Sequence, residues 1–131
     1  MKTRIITTAI VKCKNKYLIA KRATSKKFAP GKWEFISGFI DTNETAEEII
    51  LRELKEELKI KGVIVKSAEP YVITDKEGRW IIIPYLIDVK NNSFTINKKD
   101  HSQVEWIELK DFSKYKDIRK DIQEMKKRGL I

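Results

Sequence analysis

The stretch GFIDTNETAEEIILRELKEELKI, Gly38 to Ile60, carries the densest pattern in the chain. Thr45 followed three residues later by Glu48 matches a capping box, which places a helix N-cap at Thr45 and the first turn at Ala46 to Glu48. At about 100° per residue, Glu53, Glu56 and Glu57 share one arc of the helix. Ile50, Leu54 and Leu58, joined by Leu51, occupy the next arc. One side of this helix can bury against a sheet while its neighbour presents three carboxylates. The helix is expected to end near Ile60, with Gly62 as a left-handed stop.

Three glutamates at i, i+3 and i+4 repel one another by a few tenths of a kcal/mol per exposed pair. A solvated helix face would mix lysines among them. Hard divalent cations suit the arrangement, because they take oxygen ligands and leave positions for phosphate oxygens. On composition alone, a metal site and a plain surface helix both remain open.

The surrounding chain is basic. The 131 residues carry a formal net charge of +9, yet residues 41–57 hold seven acids against two bases, a net of −5, so the rest carries +14. An acidic site in a basic body fits a cation together with a polyanion, which the outer field steers inward. Nucleic-acid binding is the rival reading of the same charge, and no recognition motif or dense basic run supports it.

The length suits one domain over residues 1–131, with enough chain for a real core, and the hydrophobic fraction of 41% is ordinary. No apolar run approaches the roughly 20 residues of a membrane span. The start, MKTRIITTAIV, leads into a strand-like alternation without a signal-peptide pattern. One cysteine, Cys13, excludes an intrachain disulfide and fits a reducing cytoplasm, and it reads as a packed residue.

Around the helix the pattern is β-rich. Ile5 to Val11 and Tyr17 to Arg22 read as a hairpin with its turn at Asn15-Lys16, followed by a polar loop over residues 23–31. Trp33 to Ile36 reads as a short strand into Ser37-Gly38. Val63 to Val65, Pro70 to Thr74 and Trp80 to Val89 follow as strands, and the unbroken Trp80-Ile81-Ile82-Ile83 suggests a central strand covered on both faces. Phe94 to Ile96 and Val104 to Ile107 read as short strands around a polar loop. Asp117 to Arg128 closes the chain as an amphipathic helix. The result is an α/β fold with a mixed sheet and helices on it.

The spacing Gly38, five residues, Glu44, seven residues, then Arg52-Glu53-Leu54-Lys55-Glu56-Glu57-Leu58-Lys59-Ile60 resembles the Nudix box. One defined position departs: the family's glycine is Lys59. The lead-in Gly31-Lys32-Trp33-Glu34-Phe35 is similar to the MutT-like branch, while that branch's Pro-Gly-Gly-Lys is Ile36-Ser37-Gly38-Phe39 here. The resemblance covers almost the whole chain and implies an α/β/α sandwich with a catalytic helix. It implies hydrolysis of a pyrophosphate bond in a nucleoside triphosphate, with oxidised or non-standard nucleotides as the substrate class. Other nucleoside diphosphate-linked substrates, or a non-hydrolytic nucleotide or RNA binder on the same scaffold, are the alternatives.

By the same resemblance Glu53, Glu56 and Glu57 bind Mg2+ or Mn2+, helped by the Ser37 carbonyl. Arg52 orients a glutamate, Glu44 supports the cluster, and Gly38 lets the loop approach the helix. The general base is Glu53 or Asp100, the latter otherwise a loop-capping aspartate. His101 is either a surface loop residue or a contact to metal or substrate. Arg22 aligns with a phosphate contact, or else is a paired strand-end arginine. Phe28, Phe35 and Tyr85 are base-stacking candidates that also read as core. Asp117 is a base contact or a helix N-cap. Trp33, Trp80 and Trp106 read as core. Homodimers are frequent among similar proteins, and no interface patch is legible.

Overall fold

Alternation of apolar residues in the first strand fills two cores at once. The computed structural model describes residues 1–131. In chain order its elements are β1 (Thr3–Cys13), β2 (Lys16–Arg22), β3 (Trp33–Glu34), β4 (Ile36–Phe39), α1 (Ala46–Leu58), β5 (Val63–Ser67), β6 (Tyr71–Asp75), β7 (Gly78–Asp88), β8 (His101–Glu108) and α2 (Arg119–Lys127). Ala9 and Val11 of β1 point into a core with Ile50, Leu54 and Leu58 of α1. Ile10, between them, points the other way, into a core with Ile122 and Met125 of α2. Successive strand side chains face opposite sides, so one strand anchors both layers of the expected α/β/α sandwich.

The sheet is built on a long parallel pair, β1 with β7, in register from Thr3 and Arg79 to Lys12 and Asp88. Such a pair is stable when both faces are covered, which the continuous apolar run of β7 anticipates. On the far edge of β7 run β5 and β6, both antiparallel. Along the other edge of β1, β4 pairs antiparallel from Ile6–Phe39 to Ala9–Ile36. The β1–β2 hairpin closes at Cys13 and Lys16. Its turn is Lys14-Asn15, one residue earlier than the sequence suggests, with Lys14 left-handed at φ 55°. Beyond it, β2 pairs with β8 on one side and with two-residue β3 on the other. No helix is long and apolar enough to cross a membrane.

Helix α1 starts as its sequence indicates, with the Thr45 hydroxyl accepting from the Glu48 N–H and the Glu48 carboxylate accepting from the Thr45 N–H. Its end differs from expectation. The helix stops at Leu58, and Lys59 itself is left-handed at φ 58°, ψ 32°, with its N–H on the Lys55 carbonyl. Two further carbonyls explain why the helix does not run on. Leu58 O accepts from Thr95 N at 2.9 Å, and Glu57 O from Asn97 N at 3.2 Å. These cross-contacts take up orphan carbonyls at the C-terminus. Residues 94–96 are consequently no strand: their segment is a strap across the helix end. Gly62 serves space rather than a turn, since a Cβ there would lie 2.3 Å from Ile87 Cγ2.

The last helix also starts later than expected. Two 3-10 turns, Leu109–Lys114 and Lys116–Ile118, precede α2, and Ile118 stands at its N-cap without a side-chain cap. Asp117 lies in the second turn and does not cap the helix.

A left-handed non-glycine residue carries roughly 1–2 kcal/mol of steric cost. Lys59→Gly, at an exposed position, is expected to stabilise the fold by about 1 kcal/mol, raising Tm by roughly 3–5 °C. Thermal unfolding followed by circular dichroism measures this, with an unchanged or lowered Tm as the contrary result.

Candidate active site

The site begins where β4 passes beneath α1. A Cβ on Gly38 would stand 2.8 Å from Glu53 Cγ and 2.8 Å from Ile49 Cγ2. Only glycine allows this approach, and it seats the base of the Glu53 side chain on the sheet. Next to Glu53 on the helix, Arg52 grips Glu44 through two bonds, Nε to Oε2 at 2.9 Å and Nη2 to Oε1 at 2.8 Å. This paired geometry is the strong form of an arginine–carboxylate contact. Its remaining nitrogen, Nη1, reaches Glu53 at 3.3 Å and the Glu56 oxygens at 3.3 and 3.4 Å. One guanidinium therefore gathers three carboxylates. The bonds from Arg52, and then that from the Thr42 hydroxyl, hold the Glu44 carboxyl below its ordinary range, and Arg52 is pushed further up in return.

Glu57 faces the opposite situation. It is 9% exposed, and its Oε2 has no hydrogen-bond partner. Burial, followed by the nearby Glu53, Glu34 and Asp100 carboxylates, pushes Glu57 up to about 10. Beside it stands His101, 1% exposed, with Nε2 2.8 Å from Glu34 Oε2 and Nδ1 3.6 Å from Glu57 Oε1. The surface-loop reading of His101 is thus overturned. Strand β2 brings these groups together, since Ala20 pairs with Glu34 of β3 and Arg22 with His101 of β8.

Arg22 ends β2 with Nη1 3.1 Å from both Glu34 oxygens and Nε on the Phe28 carbonyl at 2.8 Å. It is both a paired arginine and a wall of the adjoining cleft. Asp100 is bound by Lys26 at 2.7 Å, and its N–H donates to the Asn97 carbonyl. The Ser37 hydroxyl lies 2.9 Å from that of Thr8, beside Gly38 on β4.

Six acids (Glu34, Glu44, Glu53, Glu56, Glu57 and Asp100) therefore meet three bases (Arg22, Lys26 and Arg52). No three acidic, imidazole or thiolate groups stand at metal-ligand spacing; Glu53 and Glu56 lie against Arg52 instead. The donors nonetheless fit a hard divalent cation. They are oxygens, they carry excess negative charge, and one buried oxygen has no protein partner.

A cleft of about 270 Å3 opens beside this cluster, sharing Arg22, Glu34, Ser37 and Gly38 with it. Its aromatic wall is Phe28 packed edge-on to Trp80 at 5.2 Å and tilted to Phe39 at 6.0 Å, with the Arg4 guanidinium over the Phe28 and Trp80 rings at 4.6 and 5.0 Å. Trp33 and Trp80, expected in the core, are half-buried cleft walls. Trp106 is half-buried against the α1 core, and Phe35 and Tyr85 are buried, Phe35 alone touching the cleft. Asp117 accepts the Trp33 N–H through Oδ2 at 3.0 Å, which ties α2's approach to β3. Asp121 receives the Tyr71 hydroxyl at 2.7 Å.

Local pattern does not single out Glu34, and it leaves His101 between a surface loop residue and a contact to metal or substrate. The one legible signal was an acid inside an otherwise apolar short strand, Trp33-Glu34-Phe35-Ile36. Their meeting depends on the pairing of β2 with two distant segments, which no local pattern encodes.

Comparison with known proteins agrees with this geometry. The family model described as NUDIX domain matches residues 1–128. A protein of Klebsiella pneumoniae (strain 342) named nucleoside triphosphatase NudI is 29% identical over 126 residues, covering 88% of this chain and 89% of its own. The crystal structure of a MutT protein from Methanosarcina mazei Go1 superposes with a TM-score of 0.83 at 19% identity, covering 95% and 94% of the two chains. The NUDIX domain of Shewanella oneidensis NrtR, crystallised with ADP ribose, gives 0.78 at 20% identity, covering 97% and 88%.

Two outcomes test the geometry itself. Gly38→Ala is expected to cost about 1–3 kcal/mol through overpacking against Glu53 and Ile49, measured by urea unfolding. Burial raises the Asp121 carboxyl from 3.8 to about 6, against the opposing bond from Tyr71. Its contribution thus favours the fold below pH 3.8 and fades as pH rises through 6. Asp121→Asn keeps an acceptor for Tyr71 and is expected to add about 1–2 kcal/mol at pH 7.5 and nothing at pH 3.5. Equal effects at the two pH values would contradict this reading.

Proposed function

Because the chain belongs to the NUDIX domain family, we propose that it hydrolyses a pyrophosphate bond of a nucleoside triphosphate, releasing a nucleoside monophosphate and pyrophosphate. The observation that carries this reading is the buried, unpartnered Glu57 carboxylate within a complete set of box acids, beside an aromatic cleft that shares Arg22, Glu34, Ser37 and Gly38 with the cluster. The curated relative's own designation as a nucleoside triphosphatase points the same way.

Glu53, Glu56 and Glu57 would hold Mg2+ or Mn2+, with the Ser37 carbonyl as a further oxygen. When bound, the divalent cation neutralises phosphate charge and lowers the pKa of a coordinated water. The chain's own residues do the rest. Arg52, anchored by Glu44, holds Glu53 and Glu56 in place across the helix face. Arg22, at the cleft, offers its guanidinium to the polyphosphate. With Asp100, held by Lys26, as the second candidate, Glu53 serves as the general base. It takes a proton from the attacking water, whose oxygen forms one new P–O bond as the bridging P–O bond breaks. The electron pair of the broken bond leaves with the departing phosphate oxygen.

The cleft receives the base, which Phe28, Phe39 and Trp80 border, and Asp117 lies among the lining groups as an acceptor for a base N–H. Oxidised or non-standard nucleotides are the substrate class we assign to it. The basic body steers the substrate inward. A cytoplasmic setting accords with a single, buried, free Cys13.

A panel of nucleoside triphosphates, ADP-ribose and dinucleoside polyphosphates assayed for phosphate products with Mg2+ tests this reading. Turnover of a triphosphate to monophosphate and pyrophosphate is expected. Glu53→Gln and Glu56→Gln are each expected to lower the rate by about 10²–10⁴ while the protein stays folded. No turnover on any member, with tight RNA binding instead, would overturn the enzyme, and near-wild-type rates in both variants would overturn the helix assignment.

A further inference from the structure

Two buried side-chain atoms lack a hydrogen-bond partner: Oε2 of Glu57 and Nδ1 of His101. Leaving such an atom unpaired in the interior is costly, because it has given up its bonds to water. These two belong to neighbouring side chains, with Nδ1 of His101 3.6 Å from the other Glu57 oxygen, Oε1. That separation is just beyond hydrogen-bond reach.

The other end of the imidazole is fixed. Nε2 lies 2.8 Å from Glu34 Oε2, and an ionised carboxylate only accepts, so Nε2 carries a hydrogen and donates it. Glu34 is itself held by Arg22 through both oxygens. The backbone also sets the ring's direction. The β2–β8 ladder shifts register between Lys21 and Arg22, and Arg22 then pairs with His101. A bulge of this kind re-aims a side chain next to a site. The ring is 1% exposed. A histidine that only filled the core would gain nothing from two polar edges aimed at carboxylates.

We propose that His101 is a positioning residue for Glu57. Glu34 locks the ring through Nε2, and a hydrogen held between Nδ1 and Oε1 steadies Glu57, which leaves Oε2 for the divalent cation. This inference rests on the reading of Glu57 as a metal ligand given above. Outer partners of this type typically govern metal affinity by 10–100-fold.

The test separates the two ends of the ring. His101→Asn places an amide near Nδ1, facing Glu57, and gives up the bond to Glu34. His101→Gln places it near Nε2 and gives up the group facing Glu57. Mn2+ binding by the full chain, without nucleotide, is measured from the free-ion paramagnetic resonance signal. Gln is expected to weaken Mn2+ binding about tenfold, and Asn by about threefold or less. Wild-type affinity in the Gln variant, or equal losses in both, would overturn the proposal.

A nitrogen spectrum of the wild-type imidazole needs no variant and decides the matter if either fails to fold. His101 is the single histidine, so its two ring resonances are unambiguous. A hydrogen on Nε2 and a shift of Nδ1 on adding Mg2+ are expected. A ring without a hydrogen on Nε2, or unmoved by Mg2+, would overturn the proposal. Wild-type protein that binds no Mn2+ would instead overturn the metal-ligand reading of α1, and this inference with it.

Discussion

At Gly38 the backbone of β4 lies so close to α1 that a methyl group would enter van der Waals space of both Glu53 and Ile49. The rest of the site follows from that approach. It sets the helix height over the sheet and turns Glu53 toward the strand that carries Ser37. Glu57, one turn further on, is thereby carried under the end of β2. A bulkier residue would lift the helix, separating its carboxylates from the cleft together with its apolar face from the core.

The helix is held down against its own electrostatics. Ile49, Ile50, Leu54 and Leu58 are each fully buried, and burying a side chain of this size contributes roughly 1.5–3 kcal/mol. That packing offsets the gathering of six acids around three bases and the unsatisfied oxygen on Glu57. Arg52 limits the repulsion by spanning Glu44, Glu53 and Glu56. Local rules are often broken at functional sites, with the surrounding structure compensating. Here the violation is a buried carboxylate, and the compensation is the apolar face next to it on the same helix.

The legible part of the chain was whatever repeats locally. The capping box at Thr45, the arc of Glu53, Glu56 and Glu57, and the unbroken apolar run of β7 each sit within a dozen residues, and they carry the mixed sheet with a helix on it, while the layer order comes with the Nudix resemblance. The illegible part depended on contacts between distant segments. Lys59 turns left-handed because Thr95 and Asn97 claim the preceding carbonyls, which no propensity at Lys59 reveals. Phe94 to Ile96 has β-like composition, but the Thr95 N–H, and that of Asn97 just after, meet a helix end instead of a strand. Asp117 looked like a cap because aspartate commonly is one, whereas the Trp33 N–H supplies a nearer donor. Glu34 and His101 become neighbours only after β2 has paired on both edges. Trp33 and Trp80 read as core for a related reason, since size marks a residue as apolar without saying whether a cleft opens beside it.

The strap over the end of α1 has a bearing on how this chain can vary. Asn97 takes part three times within a few residues: its N–H holds Glu57 O, its carbonyl receives Asp100 and His101, and its side chain receives Lys99. The segment from Thr95 to His101 thus measures a fixed span between the last turn of the helix and the first residue of β8. The run before Phe94 is irregular and exposed, and only the Trp106 indole N–H, on the Asn92 carbonyl at 3.0 Å, ties it to a strand. A single inserted residue after Thr95 would shift the histidine out of step with the glutamate. The segment after Thr95 therefore acts as a ruler between helix and strand.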